Sequence, residues 1–230
     1  MKKLFHMLLV AGVMLSIAGC GSSDTDSDIA EAVPAPKADT PQQAFENFQA
    51  ALLAGDTAAA VDCFVLNAQQ KDAFEAVVEF SSAVEGIDSE LTRVFGEEAA
   101  GGLGVRNPLS SVAEVDVADC AFTETGDTAL CVSPDGTSNN MVKADGVWKF
   151  TADEMPLDDP NFLKELEGMK SVTAVLKDMT GEVGKEGMTM EQLQTTFIER
   201  VTTLMMEQAP SDLPTDLPEG LDPSGLIPSD

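Results

Sequence analysis

The sequence predicts an α+β fold: N-terminal helices packed on an antiparallel sheet, followed by a C-terminal helical hairpin. The stretch from Val112 to Phe150 reads AEVDVADCAF, TETGD, TALCVS, a polar loop and NMVKADGVWKF, short runs separated by turn signals, as in antiparallel strands. Before and after it, apolar residues recur at helical spacings of three and four. With 230 residues, 43% of them hydrophobic, the chain has material for one ordinary core and a helical appendage.

The chain opens with a basic end at Lys2 and Lys3, an apolar run from Leu4 to Val13 interrupted by His6, and then small residues, the layout of a secretory signal peptide over residues 1–19. The run is too short for a stable membrane span. Ile17-Ala18-Gly19-Cys20 resembles the lipobox of bacterial lipoproteins, in which the residues ahead of the cysteine are apolar, small and small. That resemblance implies cleavage before Cys20, diacylglycerol on its sulfur and attachment to the membrane through palmitate-type acyl chains, without a spanning helix. The residue after it, Gly21, is not the Asp of inner-membrane retention. The resemblance therefore implies the outer membrane, facing the periplasm, in a two-membrane envelope. Residues 20–39 are small, acidic and Pro-containing, a disordered tether. Asp24, Asp26 and Asp28 imitate a calcium loop, but Ile29 stands where that loop needs Gly and Ala35 where it needs Glu, so no metal site is assigned.

The helical entry begins at Thr40-Pro41-Gln42-Gln43, where Thr40 caps, Pro41 suits the first turn and Gln43 completes a capping box. Ala44, Phe45, Phe48, Ala51 and Leu52 share one face, and Gly55 ends the helix. Asp56 caps a second helix with Ala60, Val61, Phe64 and Val65 as its apolar set. A third is expected from Ala68 to about Val84, with Phe74, Val77, Val78 and Ser81 inward. Residues 86–111 read as partly helical and then Gly-rich.

In the sheet, Asp145-Gly146 is a type I′ hairpin signal that pairs Lys143 with Trp148 and Met141 with Phe150. Met141, Trp148 and Phe150 then share a face as core residues or as a ligand-binding wall, with Lys143 at its edge or snorkelling over it. A two-residue turn at Thr125-Gly126 would set Cys120 directly opposite Cys131, a cross-strand disulfide in an oxidising compartment. Cys63 is left over as a small buried hydrophobe, or as an alternative partner for either cysteine.

TPQQAFENFQAALLAGDTAAAVDCF, from Thr40, resembles the opening of NTF2-like (cystatin-like) domains of exported bacterial lipoproteins: a Thr-Pro-capped helix, a Gly-Asp break and an Ala-rich second helix. KADGVWKF resembles the terminal hairpin of the same domains. The resemblance places an NTF2-like domain at residues 40–155 and implies a curved antiparallel sheet, of which about four strands are legible here. Residues 156–209 form the helical hairpin. Asp159-Pro160 opens its first helix, with Phe162, Leu166, Met169, Val172, Leu176 and Met179 on one face. Gly181, Gly184 and Gly187 break it, and a capping box from Thr189 to Gln192 opens the second, with Leu193, Phe197, Val201 and Leu204. Met179, Met188, Met190, Met205 and Met206 make the hairpin soft, as core filler or as an adaptable surface. Residues 210–230, with Pro and Leu recurring in PSDL, PTDL and PEGL, are a disordered acidic tail.

Charge and absences narrow the chemistry. Forty acidic against 13 basic residues give a net charge of −27, which disfavours nucleic acid. There is no Tyr, and the single His is His6, so a chain cut at Cys20 has no imidazole for a triad or a zinc site. No cofactor is implied. The expectation is a non-catalytic, lipid-anchored envelope protein that binds a partner or a small apolar ligand. The alternatives are an enzyme of the same fold using one buried carboxylate, and an assembly factor acting through the C-terminal helices.

Overall fold

The structure, a computed structural model, describes residues 37–153 and 155–208. The lipobox, Cys20 and the acidic tail lie outside the described residues. Helix α1 (Pro41–Leu53) starts as its sequence requires: Thr40 Oγ1 accepts from the Gln43 amide, and Gln43 Oε1 accepts from the Thr40 amide. Its apolar face, Ala44, Phe45, Phe48, Ala51 and Leu52, is buried. Asp56 caps α2 (Thr57–Asp62) by accepting from the Ala59 amide at 3.0 Å. This helix is shorter than its apolar set suggested. Phe64 and Val65 leave it to form a strand, β1 (Phe64–Val65). A two-residue strand has no legible period, so only its pairing reveals it.

The remaining strands are β2 (Ala121–Thr125), β3 (Thr128–Val132), β4 (Ser138–Ala144) and β5 (Val147–Thr151), and the sheet order is β1-β5-β4-β3-β2. The sheet is mixed rather than purely antiparallel, because β1 runs parallel to β5, with Phe64 beside Phe150 and the Phe150 amide donating to the Cys63 carbonyl at 2.8 Å. The β4–β5 turn forms at Asp145-Gly146 with φ of 52° and 82°, the left-handed pair that a type I′ turn demands. Its register joins Lys143 to Trp148 and Met141 to Phe150, as read from sequence.

The β2–β3 turn differs. Thr125 pairs with Thr128, so the turn residues are Gly126-Asp127, and Gly126 takes φ 63° at the first central position, where a type II′ turn calls for glycine. The shift of one residue sets Phe122, not Cys120, opposite Cys131. Cys120 sits just before the strand, closing the 3-10 turn Val117–Asp119, and Cys63, Cys120 and Cys131 are all free thiols. The directly opposed Cys120–Cys131 pair expected from a Thr125-Gly126 turn is therefore not formed.

Helix α3 (Ala68–Phe95) is longer than expected, at 28 residues. It continues through Gly86, whose absent side chain would meet nothing within 4 Å, because Ile87 and Leu91 extend the apolar stripe. A glycine on an open face lowers helix propensity by about 1 kcal/mol but does not stop a helix whose other face is buried. A short helix, α4 (Ser110–Ala113), precedes β2. Helices α5 (Pro160–Thr180) and α6 (Met190–Gln208) follow the sheet, capped by Asp159 and by the Thr189–Gln192 box.

Among the described residues there are two apolar clusters. The first joins α1, α2, the sheet, Ala73 to Val78 of α3, and Phe162 and Leu166 of α5. The second joins Phe80 to Leu91 of α3 with Leu176, Met179, Leu193 and Phe197. The start of α5 thus joins the core beneath the sheet, and the rest of α5 with α6 completes a helical core along the second half of α3. Arg200 of α6 fastens them, with Nη1 at 2.5 Å from Asp178 Oδ2 and Nη2 at 2.8 Å from Glu182 Oε1. The glycine-rich loop is held there too: Gln194 Nε2 donates to the Gly102 carbonyl at 2.8 Å, and a Cβ on Gly102 would fall 2.0 Å from Met190 Cε. Among the described residues no helix is long and apolar enough to cross a membrane.

Since α3 runs through both clusters, damage to one is expected to reach the other. Leu91→Ala, at a fully buried position of the second cluster, should cost about 2–5 kcal/mol. Trp148, the single tryptophan, reports from the first cluster. In urea, its fluorescence and the far-ultraviolet circular dichroism should shift together; an unmoved Trp148 midpoint would show that the clusters unfold independently.

Candidate functional site

The helices α1 and α3 lie against the inner face of the sheet, and five phenylalanines meet there: Phe45 and Phe48 from α1, Phe64 from β1, Phe74 from α3 and Phe150 from β5. Phe64 is central, stacked on Phe150 at 5.1 Å and 27°, edge-on to Phe48 at 5.0 Å and 81°, and tilted over Phe74 at 4.4 Å. Such pairs each add about 0.5–1.5 kcal/mol beyond the area they bury. Between them remains a cavity of about 60 Å³, completed by Leu109, Val112, Asn139 and Met155.

Its size decides what it can hold. An apolar cavity of about 150 Å³ takes a benzene ring, and drug-sized ligands need about 300–1,000 Å³. Here the five rings fill most of the space that the sheet and helices enclose. The lining includes one side-chain amide, that of Asn139, and no titratable group. The wall formed by Leu109 and Val112 is held by Gln49, whose Nε2 donates to the carbonyls of Val112 at 2.8 Å and Val115 at 2.7 Å.

Of the residues read from sequence as a ligand-binding wall, only Phe150 lines this cavity. Met141 is buried on the same sheet face but not at the cavity, and Trp148, 3% exposed, fills the core with Lys143 Nζ 5.9 Å from its ring centroid. Lys143 thus snorkels over the tryptophan, a cation–π contact. Phe45, Phe48, Phe64 and Phe74 were legible as apolar stripes, but their meeting on Phe150 depends on the parallel β1–β5 pair.

Burial disfavours the thiolates of Cys63 and Cys131. Burial pushes Cys63 up to about 11, and its Sγ donates to the Ala59 carbonyl at 3.3 Å. Cys131 is pushed up to about 12, first by burial and then by the neighbouring Cys120 thiol. A titratable carboxyl outside the cavity lies beneath the glycine-rich loop: Asp88 of α3 is half-buried and accepts from the Gly101 amide at 3.0 Å. Burial raises its pKa, and the Gly101 hydrogen bond opposes that rise.

Among the described residues, three of the exposed large apolar side chains belong to α6. Leu193 and Phe197 turn into the second core, whereas Ile198 is 63% exposed, Met205 66% and Met206 72%. Ile198 and Met205, two turns apart, share one line along the helix, and Met206 carries it round the end. Glu191, Glu199 and Glu207 are the acidic residues of this helix.

No protein-family model, curated protein or solved structure matches the chain.

Because Asp88 binds its proton more tightly folded than unfolded, it favours the fold most below the ordinary carboxylate range, and that contribution is lost as pH rises through its elevated folded value. Asp88→Asn keeps an acceptor for Gly101 and removes the buried charge. It should raise the thermal midpoint at pH 7, with the difference from the parent shrinking to nothing at acid pH; an equal gain at both would refute burial of the charge as the cause.

Proposed function

We propose that this chain is an exported lipoprotein, anchored through an acylated Cys20, whose NTF2-like body is non-catalytic and binds a basic, amphipathic helix of an envelope protein at the exposed end of α6. The observation that carries the binding surface is the run of Ile198, Met205 and Met206, exposed on a helix whose opposite face is buried. Single exposed apolar residues are ordinary on any surface, but here three large ones lie along the outer side of one helix, from its middle to its end. The partner's chemistry follows from charge: the patch belongs to a chain of net charge −27, on a helix bearing Glu191, Glu199 and Glu207, so Lys or Arg beside an apolar stripe complements it.

The NTF2-like assignment rests on the capped α1, the Gly55-Asp56 break, the short α2 and the Asp145-Gly146 hairpin, each formed at the residues that carry the resemblance. The anchor rests on the lipobox, and each buried acyl methylene contributes about 0.8 kcal/mol, enough for a diacylated end to hold an acidic body at a leaflet. The small-ligand reading is weakened by the 60 Å³ cavity, and the carboxylate-enzyme reading by a lining without an Asp or Glu.

Cys20→Ala should move the protein from the membrane fraction to the soluble fraction on centrifugation, and retention equal to the parent's would reject the anchor. Separately, a synthetic helical peptide of Leu and Lys should bind the full chain saturably. Ile198→Ser, Met205→Ser and Met206→Ser together should weaken it by at least about tenfold, since each side chain contributes on the order of 1.5–3 kcal/mol when fully buried. The unfolding midpoint should not change. Equal affinity for parent and triple variant would mean that charge alone attracts the peptide and would sink the α6 surface.

A further inference from the structure

We propose that Cys120 and Cys131 are a disulfide site, closed by thiol–disulfide exchange, that latches the 3-10 turn Val117–Asp119 to strand β3. The geometry is diagonal, not directly opposed. Ala121 pairs with Val132, so continuing the register sets Cys120 beside Ser133, and Cys120 Sγ is 4.0 Å from Ser133 Oγ. Cys131 precedes Ser133 by two residues and so points to the same face as Ser133. Strand twist brings one diagonal of such a pair together. Cys120 is half-buried, near the Asp116 carbonyl at 3.8 Å, while Cys131 is fully buried.

Topology excludes the other pairings open at the level of sequence. Cys63 precedes β1, at the far edge of a sheet in which β5 and β4 stand between β1 and β3. Three strand spacings are on the order of 14 Å, twice what a disulfide spans.

The accessibility difference orders the reaction. Cys120, deprotonated, attacks a sulfur of an external disulfide, forming a mixed disulfide and releasing one thiol, which takes up a proton. Cys131 then loses its proton, and its thiolate attacks the Cys120 sulfur, breaking the mixed disulfide and releasing the second thiol. Two protein thiols are oxidised and one external disulfide is reduced to two thiols. The second step needs the Cys131 thiolate, which burial disfavours, so closure accelerates as pH rises.

The latch acts on the cavity wall. Cys120 ends the segment that carries Leu109 and Val112 and that Gln49 grips from α1. Tying its end to β3 leaves this wall fixed at both sides.

The test uses the full chain carrying Cys20→Ser, so that the N-terminal sulfur does not compete, incubated reduced with oxidised glutathione. Non-reducing peptide mapping should recover a Cys120–Cys131 cross-link with Cys63 unmodified, forming faster as pH rises. The thermal midpoint should rise on the order of 5–10 °C. Cys63→Ser should leave both results unchanged and Cys120→Ser should remove both. A glutathione adduct that persists on Cys120 without closing, a cross-link to Cys63, or a midpoint that falls on closure would each overturn the proposal.

Discussion

The structure depends on burying one continuous apolar stripe along α3. The helix is about 42 Å long by its rise per residue, and its stripe runs from Ala73 to Leu91. No single layer of this chain covers that length. The sheet with α1 and α2 buries the first half, and α5 with α6 buries the second. The helical hairpin is therefore a structural half of the molecule and not an appendage, since without it Phe80, Val84, Ile87 and Leu91 would face water. At about 1.5–3 kcal/mol for each large side chain, that exposure is comparable with the whole stability of an ordinary domain.

The same requirement shapes the candidate site. A sheet backed by helices can leave a pocket where the facing side chains are small, but here phenylalanine is contributed from α1, α3, β1 and β5 at once. The rings interlock edge-on and stacked, which fills volume efficiently and leaves space of only about 60 Å³. Material that in a hollow domain would line a ligand site is used here for cohesion, and exposed apolar side chains lie outside, on α6.

Charge is arranged to leave that surface approachable. Among the described residues, the cross-element pair of Lys177 with Glu79 is exposed and contributes about 0–1 kcal/mol, while Arg200 with Glu182 is partly buried. With 40 acidic residues, most carboxylates have no cation to pair with and stay in water, where they keep copies of the protein apart. Ile198, Met205 and Met206 are exposed on this acidic body, and the basic helical partner proposed for them matches its charge.

Local chemistry was legible wherever a feature is determined by neighbours in the chain. The Thr40–Gln43 and Thr189–Gln192 boxes, the Asp56 and Asp159 caps, the Asp145-Gly146 turn and the inward face of each helix depend on side chains a few positions apart, and the sequence by itself determined them. Tertiary structure decided what long-range burial and pairing control. Strand β1 is two residues in an apolar run and exists only because β5 offers it a parallel edge. Helix α3 passes Gly86 because residues beyond position 160 cover its second half. The β2–β3 turn moved by one residue and the partner of Cys131 by two, from Cys120 to Phe122, a shift that keeps the same residues on each face and so is invisible to their alternation. Periodicity marks which residues seek the interior; only packing determines which of them meet.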